Sequence, residues 1–191
     1  MIKVTSRQHD AHLVDILTYA FADNQSVNYV IKQDQKRLLR IRSLMQYARA
    51  TCQDFGAVWQ SEDQKACALT LLPDQKRTTA DSVIRDIRLA TLATGLANVP
   101  KTLSREARIQ SYHPSTPFCH LWFIAVEQES QGRGVGSRLL KDIIKHYQAL
   151  QRPIYLETST LRNLPWYKKH GFQQYNQLDF SFPLYLLKNE P

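Results

Sequence analysis

Apolar residues recur along this chain with two different periods, and each change of period marks a predicted element. Ile2 and Val4 alternate with polar residues, as in a short strand. Two amphipathic helices are predicted next. The first follows Ser6, a residue type that caps helices, and its apolar stripe is Leu13, Ile16, Leu17, Ala20 and Phe21. The second covers residues 34–52 after a break at Asp23-Asn24, and its stripe is Leu38, Ile41, Leu44, Met45 and Ala48.

The middle of the chain predicts a hairpin followed by a less regular helical segment. Residues 55–60 and 65–72 are rich in strand-forming residues, a polar turn separates them, and Pro73 ends the second run. Residues 74–117 are polar and interrupted by prolines. Their one apolar pattern with helical spacing is Val83, Ile84, Ile87 and Leu92. We predict two helices in this segment.

The second half predicts strands and helices in alternation. Residues 118–126 form an apolar strand, and its alternation predicts one face with His120, Trp122, Ile124 and Val126 and an opposite face with Leu121, Phe123 and Ala125. Glycines follow, and apolar residues recur at helical spacing from Val135. Further on we predict a strand at 154–158, a short helix capped by Asn163 and ending near Gly171, and closing strands at 173–177 and 179–187. Pro183 indicates an edge or a bulge there. This order is typical of a layered α/β or α+β sheet.

Three glycines, Gly132, Gly134 and Gly136, follow the apolar strand within five residues. Glycine permits positive φ and close backbone approach, so successive amides can converge on one group of phosphate oxygens. The helix that begins there leaves its first N–H groups without partners and directs the positive end of its dipole at the loop. Arg133 and Arg138 add positive charge. The loop predicts a phosphate site, and a simple connecting turn is the alternative.

Two common phosphate loops do not fit this spacing. A P-loop needs a Gly-Lys-Ser/Thr ending, and a dinucleotide loop needs Gly-x-Gly-x-x-Gly early in a βαβ unit. The stretch Gln131-Gly132-Arg133-Gly134-Val135-Gly136 instead resembles Gln/Arg-x-x-Gly-x-Gly/Ala, the pyrophosphate loop of the GNAT superfamily of N-acetyltransferases. In that superfamily the loop follows the fourth strand, often after a small residue and Val, as Ala125-Val126 stand here.

The resemblance implies a fold, a cosubstrate and residues that hold it. The GNAT fold is an α/β (α+β) fold with a mixed, mostly antiparallel central sheet of about six to seven strands flanked by helices. The cosubstrate would be acetyl-CoA, with the edge of the strand at Ile124, Ala125 and Val126 pairing with pantetheine. The pyrophosphate would be held by the loop residues Gln131, Gly132, Arg133, Gly134, Val135, Gly136 and Ser137.

A second motif supports the same family. Tyr167-Lys168-Lys169-His170-Gly171-Phe172 resembles the GNAT pattern Tyr-x-x-x-Gly-Phe, in which the tyrosine commonly faces the thioester sulfur. A phenol there can donate its proton to the departing thiolate, so the resemblance implies Tyr167 as general acid. The residue seven positions before that tyrosine usually contacts the coenzyme and is Thr160 here. A subset of the family has Asn-x-Pro-Phe/Trp-Tyr, which implies a coenzyme contact for Asn163 instead.

The strand that enters the loop also carries a candidate base. Without the resemblance, His120 among aromatic neighbours is most simply a structural residue. Some GNAT enzymes, however, hold a glutamate or a histidine five residues before the alanine of this strand, the position of His120. A histidine there can take a proton from the acceptor amine near neutral pH. Glu157 is a second candidate, unless it is a carboxylate paired at a strand end. Cys119 is not favoured as a nucleophile, because neighbours in a strand point to opposite faces.

Composition and charge limit the class of protein. The 191 residues are 43% hydrophobic and 22% charged, which suits one globular domain. No apolar run approaches the ~20 residues of a membrane span, and residues 1–5 lack a secretory signal pattern, so we expect a cytoplasmic location. Cys52, Cys67 and Cys119 lack metal-ligand spacing and predict buried thiols. The net charge of +8 is spread over helical patterns and does not favour nucleic acid.

The resemblance as a whole implies direct transfer of acetyl from acetyl-CoA to an amine. We expect one domain over residues 1–191, with residues 74–117 as a variable helical segment near the acceptor site. We expect a small-molecule acceptor, no metal, no membrane partner and no nucleic-acid partner, and a homodimer is compatible with the sequence. The alternatives are a non-catalytic acyl-CoA-binding module, a protein or peptide N-acetyltransferase, and a nucleic-acid-associated protein. Four aromatic residues have two interpretations, because they either pack in the core or line an aromatic acceptor pocket: Trp59, Tyr112, Phe118 and Trp122.

Overall fold

The computed structural model describes residues 1–5 and 10–190, so the predicted Ser6 cap lies outside the described residues. The helices are α1 (Asp10–Ala20), α2 (Gln25–Val30), α3 (Arg37–Phe55), α4 (Ala80–Arg88), α5 (Val99–Gln110), α6 (Val135–Ala149) and α7 (Leu164–Lys169). The strands are β1 (Ile2–Lys3), β2 (Gly56–Gln60), β3 (Ala66–Leu71), β4 (Cys119–Val126), β5 (Ile154–Thr158), β6 (Gln173–Asp179) and β7 (Pro183–Asn189). None of the described helices is long and apolar enough to cross a membrane.

The strands in the described residues form one seven-stranded sheet in the order β1-β2-β3-β4-β5-β7-β6. Neighbouring strands are antiparallel except β4 and β5, which are parallel. The mixed, mostly antiparallel sheet that we predicted is therefore confirmed. The parallel pair is short, because β5 meets β4 at Cys119↔Ile154 and His120↔Tyr155 and then diverges from it.

A bulge in β4 overturns the predicted alternation of its faces. Leu69 of β3 lies opposite Phe123 and Thr70 lies opposite Leu121, so Trp122 is an extra residue in β4. The faces exchange at that point. Phe123 and Ala125 pack with α1 and α3 on the side of His120 and Trp122, whereas Ile124 and Val126 pack toward α6 with Cys119 and Leu121. Our prediction that His120 shares a face with Ile124 and Val126 is wrong.

The sheet is covered by helices on both faces. On one face α1, α2 and α3 bury residues such as Leu17, Ile41 and Met45 against the sheet. On the other, α6 and α7 bury Leu140, Ile143 and their neighbours. Each of these side chains contributes about 1.5–3 kcal/mol when fully buried. The three cysteines are free and buried, as predicted.

One helix was missed by the sequence analysis, and two local predictions differ from the structure. Helix α2 was not predicted; it begins directly after Asn24, whose Oδ1 accepts a hydrogen bond from the Val27 amide at 3.0 Å. Pro183 marks neither an edge nor a bulge. It is the first residue of β7, an interior strand, where a missing N–H is tolerated. Residues 180–182 form the turn before it, instead of the start of a strand.

The segment at residues 74–117 contains the two predicted helices, α4 and α5, joined by a π-helical stretch at Leu89–Thr94 and a short 3-10 turn. The apolar pattern of α4 does not face the core, since Val83, Ile84 and Ile87 are 43%, 52% and 59% exposed. Helix α4 instead contacts α3 through polar side chains. The Tyr47 hydroxyl donates to the Asp86 carboxylate at 2.7 Å, and Arg85 pairs with Asp54 at 2.6 Å.

Candidate active site

The glycine loop connects the end of β4 to the start of α6. Gly134 has φ = +76° and occupies the N-cap position of α6, a left-handed conformation that a side chain would strain. Gly136 serves close approach instead: a Cβ there would lie 2.8 Å from Cγ2 of Val126. The glycines thus bring the first turn of α6 against the end of β4.

Six consecutive backbone amides are left available by this geometry. Among the residues that the structure describes, none of the N–H groups from Gly132 to Ser137 donates a hydrogen bond, and the first donation comes from Arg138 to the Gly134 carbonyl at 3.0 Å. The Arg138 guanidinium also reaches back to the Arg133 carbonyl at 3.5 Å. Residues 131–134 are exposed. Free amides at a helix N-terminus beside arginines form an anion site.

Gln131 and the open edge of β4 continue this site. The Gln131 side-chain amide donates to the Val126 carbonyl at 3.3 Å, which ties the loop to the strand end. On one edge, Ile124, Ala125 and Val126 pair with β3. The opposite edge is left open by the divergence of β5 beyond His120. An extended ligand with amide groups has hydrogen-bonding positions along such an edge.

Helix α7 lies against the loop. The indole N–H of Trp166 donates to the Ser137 hydroxyl at 2.9 Å. Tyr167 is 6% exposed and packs between Trp166 and Phe172, and its hydroxyl has no hydrogen-bond partner among the described residues. Burial raises the pKa of this phenol above its ordinary value. The segments that carry the two sequence motifs are therefore in contact through Ser137 and Trp166, which are 29 residues apart in the chain.

Asn163 occupies the N-cap position of α7, as predicted, but its side chain does not cap the helix within the described part of the chain. The prediction of a side-chain cap is wrong. Pro165 in the first turn already has no N–H to satisfy, which reduces the need for a cap. The Asn163 amide group is therefore available to a ligand.

Both candidate bases belong to a second group of residues. One carboxylate oxygen of Glu157 lies 2.8 Å from Nε2 of His120, and the other lies 2.8 Å from Nε2 of His113. Their side chains are 11–13% exposed. The interpretation of Glu157 as a paired carboxylate is therefore the one that the geometry supports.

The pKa values in this group follow from burial and charge. Burial alone would raise the pKa of Glu157, but the charge of His120 and the hydrogen bonds from both rings outweigh it and hold that pKa well below its ordinary value. Burial alone would lower the pKa of His120, whereas the charge of Glu157 and the hydrogen bond to it raise that pKa overall. Glu157 is thus a carboxylate at neutral pH, and His120 is more basic than a free histidine.

A comparison with known families now adds to this geometry. A family model described as "Acetyltransferase (GNAT) domain" matches residues 102–174, the range that contains His120, the glycine loop, Glu157 and Tyr167. Residues 102–174 of the chain therefore resemble a GNAT acetyltransferase domain.

Solved structures resemble this chain over its whole length. A histone acetyltransferase HPA2 and related acetyltransferase from Corynebacterium glutamicum is 22% identical with a TM-score of 0.69, and the match covers 100% of this chain and 97% of that one. The C-terminal condensation domain of Ebony, solved with beta-alanyl-dopamine, is 9% identical with a TM-score of 0.66, covering 100% and 97%. Chaetomium thermophilum Naa20, solved with a bisubstrate analogue, is 13% identical with a TM-score of 0.51, covering 100% and 86%. At these identities the likeness establishes the fold, which confirms the predicted GNAT fold.

One residue of the candidate site, His113, was not predicted from the sequence. His113 lies 44 residues before Glu157 in an irregular segment, and no sequence pattern marks it. Of the aromatic residues considered for an acceptor pocket, Phe118 packs against His113 and Trp122 stacks on His120 at 6.3 Å. Tyr112 is 41% exposed. Trp59 is a core residue whose N–H donates to the Thr70 hydroxyl at 2.9 Å.

Proposed function

We propose that this protein is an acetyl-CoA-dependent N-acetyltransferase that moves acetyl directly to the amine of a small molecule. The observation that carries the proposal is the run of free amides from Gly132 to Ser137 at the N-terminus of α6, next to the open edge of β4. This arrangement places anion-binding donors next to an open strand edge. A ligand with a diphosphate and an amide-bearing arm requires both.

The residues present fit coenzyme A. The loop amides and Arg133 would bind the diphosphate, and Arg138 lies over the same loop. The edge at Ile124, Ala125 and Val126 would accept the pantetheine amides. Asn163, whose side chain caps nothing in the described residues, is available for a further contact. No metal is needed in this arrangement.

Two side chains would move protons during transfer. Acetyl-CoA supplies an activated thioester, whose acetyl carbon gains a C–N bond to the acceptor as its C–S bond breaks. His120 takes the proton that the attacking amine loses, directly or through water. Tyr167, kept protonated by its raised pKa, donates its hydroxyl proton to the departing sulfur. Cys119 takes no part, because it is fully buried and burial raises the pKa of its thiol.

The segment at residues 74–117 supports a small acceptor. It covers the side of the sheet that carries His120: His113 contacts Glu157, and Arg105 of α5 donates to the Ser26 hydroxyl of α2. A base that is 13% exposed beneath such a cover suits a compact amine better than an extended peptide. We propose that residues 1–191 act as one domain, with this segment defining the acceptor site.

The proposal is tested by calorimetry with acetyl-CoA and CoA, followed by a thiol-release assay on a panel of small amines and peptides. We expect binding of both ligands and acetyl-CoA consumption with at least one small amine. Binding without consumption would indicate an acyl-CoA-binding module, and consumption with peptides alone would indicate a peptide N-acetyltransferase. Absence of binding to both ligands would contradict the proposal. Salt-sensitive RNA binding is not expected, since Arg40 and Arg42 are paired with Asp34 and Asp15.

A further inference from the structure

Glu157 lies between two imidazole rings that come from different segments. His120 is on β4, Glu157 is on β5, and His113 is in the loop between α5 and β4. Each carboxylate oxygen serves one ring at 2.8 Å, and the ring centroids are 5.5 Å apart. The three side chains meet where β4 and β5 are still paired, at His120↔Tyr155, just before the strands diverge.

This arrangement fixes which ring nitrogens carry hydrogen. Since the pKa of Glu157 is held low, its carboxylate has no proton to donate and must accept from both rings. Nε2 is therefore protonated in His113 and in His120. A neutral imidazole with hydrogen on Nε2 has its free lone pair on Nδ1. In the part of the chain that the structure describes, neither Nδ1 has a hydrogen-bond partner.

We propose that Glu157 and His113 are positioning residues for the proton transfer. Glu157 keeps the hydrogen of His120 on Nε2, so that Nδ1 takes the amine proton. His113 binds the same carboxylate and thereby weakens the attraction between Glu157 and protonated His120. The inference rests on the proposed function. His113 thereby sets how readily His120 releases the proton that it has accepted.

Other charged and titratable groups around His120 are more distant. From α5, the charge of Glu106 raises the pKa of His120 and that of Arg105 lowers it, and these two side chains are paired with each other. The pKa of Tyr175 on β6 is raised by burial and by the charge of Glu157. Glu157 and His113 are the groups in direct contact with each other and with His120, so they are the ones to change.

The two positioning residues have opposite effects on the pH profile. His120 must be neutral to accept a proton, so kcat/KM rises with pH through the pKa of His120. His113→Ala leaves the whole carboxylate to His120, which should move the acidic limb up by on the order of one pH unit. Glu157→Gln removes the negative charge, and the glutamine can accept a hydrogen bond from only one of the two rings. The acidic limb should therefore move to lower pH by a similar amount, and kcat should fall. His113→Gln restores a donor and should reverse part of the His113→Ala shift.

The closing experiment is a 15N NMR titration of the histidines in the ligand-free protein, with exposed His12 as internal reference. We expect hydrogen on Nε2 of both His113 and His120 in the wild type. We expect the titration midpoint of His120 to rise in His113→Ala and fall in Glu157→Gln. Hydrogen on Nδ1 of His120, or midpoints that shift in one direction in both variants, would overturn the inference. Because this readout needs no turnover, it separates failure of the inference from failure of acetyl transfer.

Discussion

Tyr167, the proposed general acid, lies in surroundings that keep its phenol protonated. The residue is 6% exposed, its ring packs between Trp166 and Phe172, and burial raises the pKa of its phenol. Among the described residues its hydroxyl has no competing acceptor. The phenol is therefore protonated at neutral pH, as the proposed donation of its proton to the departing sulfur requires.

Tyr167→Phe removes that proton and little else. General acid catalysis typically contributes 10²–10⁴-fold, so we expect kcat to fall by about 10²-fold or more while the Kd for acetyl-CoA changes by less than about threefold. Stopped-flow turnover and calorimetry measure the two quantities. Tyr147→Phe is the matched control, because Tyr147 is also a buried tyrosine and its hydroxyl meets that of Thr70 at 2.8 Å. It should reduce stability by about 1 kcal/mol without a selective loss of kcat. An unchanged kcat in Tyr167→Phe would remove Tyr167 from the acid role.

The raised pKa of Tyr167 also determines the alkaline side of the pH profile. The phenol is active when protonated, and burial moves its loss of the proton to higher pH. We therefore expect kcat to show no decline attributable to this group up to about pH 10, the ordinary pKa of tyrosine. Measurement of kcat at saturating substrate between pH 7 and 10 tests this. A decline near pH 9 that disappears in Tyr167→Phe would contradict it.

At the scale of elements, the sequence predicts secondary structure well where periodicity is local. The strand, loop and helix around Gly132–Gly136 were predicted because a change of period and a glycine cluster are both visible in the sequence. The bulge at Trp122 was not, because an extra residue in one strand is defined by the pairing partner and leaves no mark in the strand's own pattern. The exposed face of α4 was missed for a similar reason. Its contacts with α3 are made by Arg85 and Asp86.

Two glycine substitutions can distinguish a general loss of stability from a specific loss of acetyl-CoA binding at the glycine loop. Gly134→Ala places a side chain at φ = +76°, which costs about 1–2 kcal/mol, and any shift of the loop disturbs its free amides. We expect the KM for acetyl-CoA to rise about tenfold, which corresponds to 1.4 kcal/mol. Gly95→Ala is the control, since Gly95 also has φ = +76° but contacts the side chain of Lys32 far along the chain from the loop. It should lose at least as much stability, because its ψ of 135° lies outside the left-handed helical region, with KM nearly unchanged. Equal changes of KM in both variants would contradict a specific role for the loop.

At the scale of the whole molecule, the sequence motifs identified residues of the candidate site but did not predict how these residues are arranged in space. The glycine loop and Tyr167 each follow a recognisable local pattern, and their contact through Ser137 and Trp166 agrees with the resemblance. The meeting of His113 with Glu157 depends on the path of residues 74–117 across the sheet, which composition does not specify. The sequence therefore predicts functional groups that belong to one local motif, whereas tertiary packing determines which residue pairs with a buried charge.

The junction of β4 and β5 joins the two halves of the sheet, and the buried pair of His120 and Glu157 lies there. The pKa of Glu157 is lower in the folded state than in the unfolded chain, so its contribution to stability is present above about pH 5 and is lost as pH falls through the folded pKa. The pKa of His120 is raised, so its contribution is present below about pH 6.5 and is lost as pH rises through the folded pKa. Both shifts describe one interaction, which is strongest between these limits.

Glu157→Gln should therefore be most destabilising between about pH 5 and 6.5. Removing one partner of a buried ion pair costs about 3 kcal/mol, and the difference from wild type should shrink on both sides of this window. Urea unfolding at pH 3, 6 and 9 measures it. Asp63→Asn is the control, because Asp63 is exposed in the β2–β3 turn and its lowered pKa arises from a hydrogen bond from Ser61. Its effect should be much smaller than that of Glu157→Gln at pH 6. A pH-independent difference for Glu157→Gln would mean that Glu157 stabilises the junction through packing, because loss of a charge interaction must follow the titration of its partners.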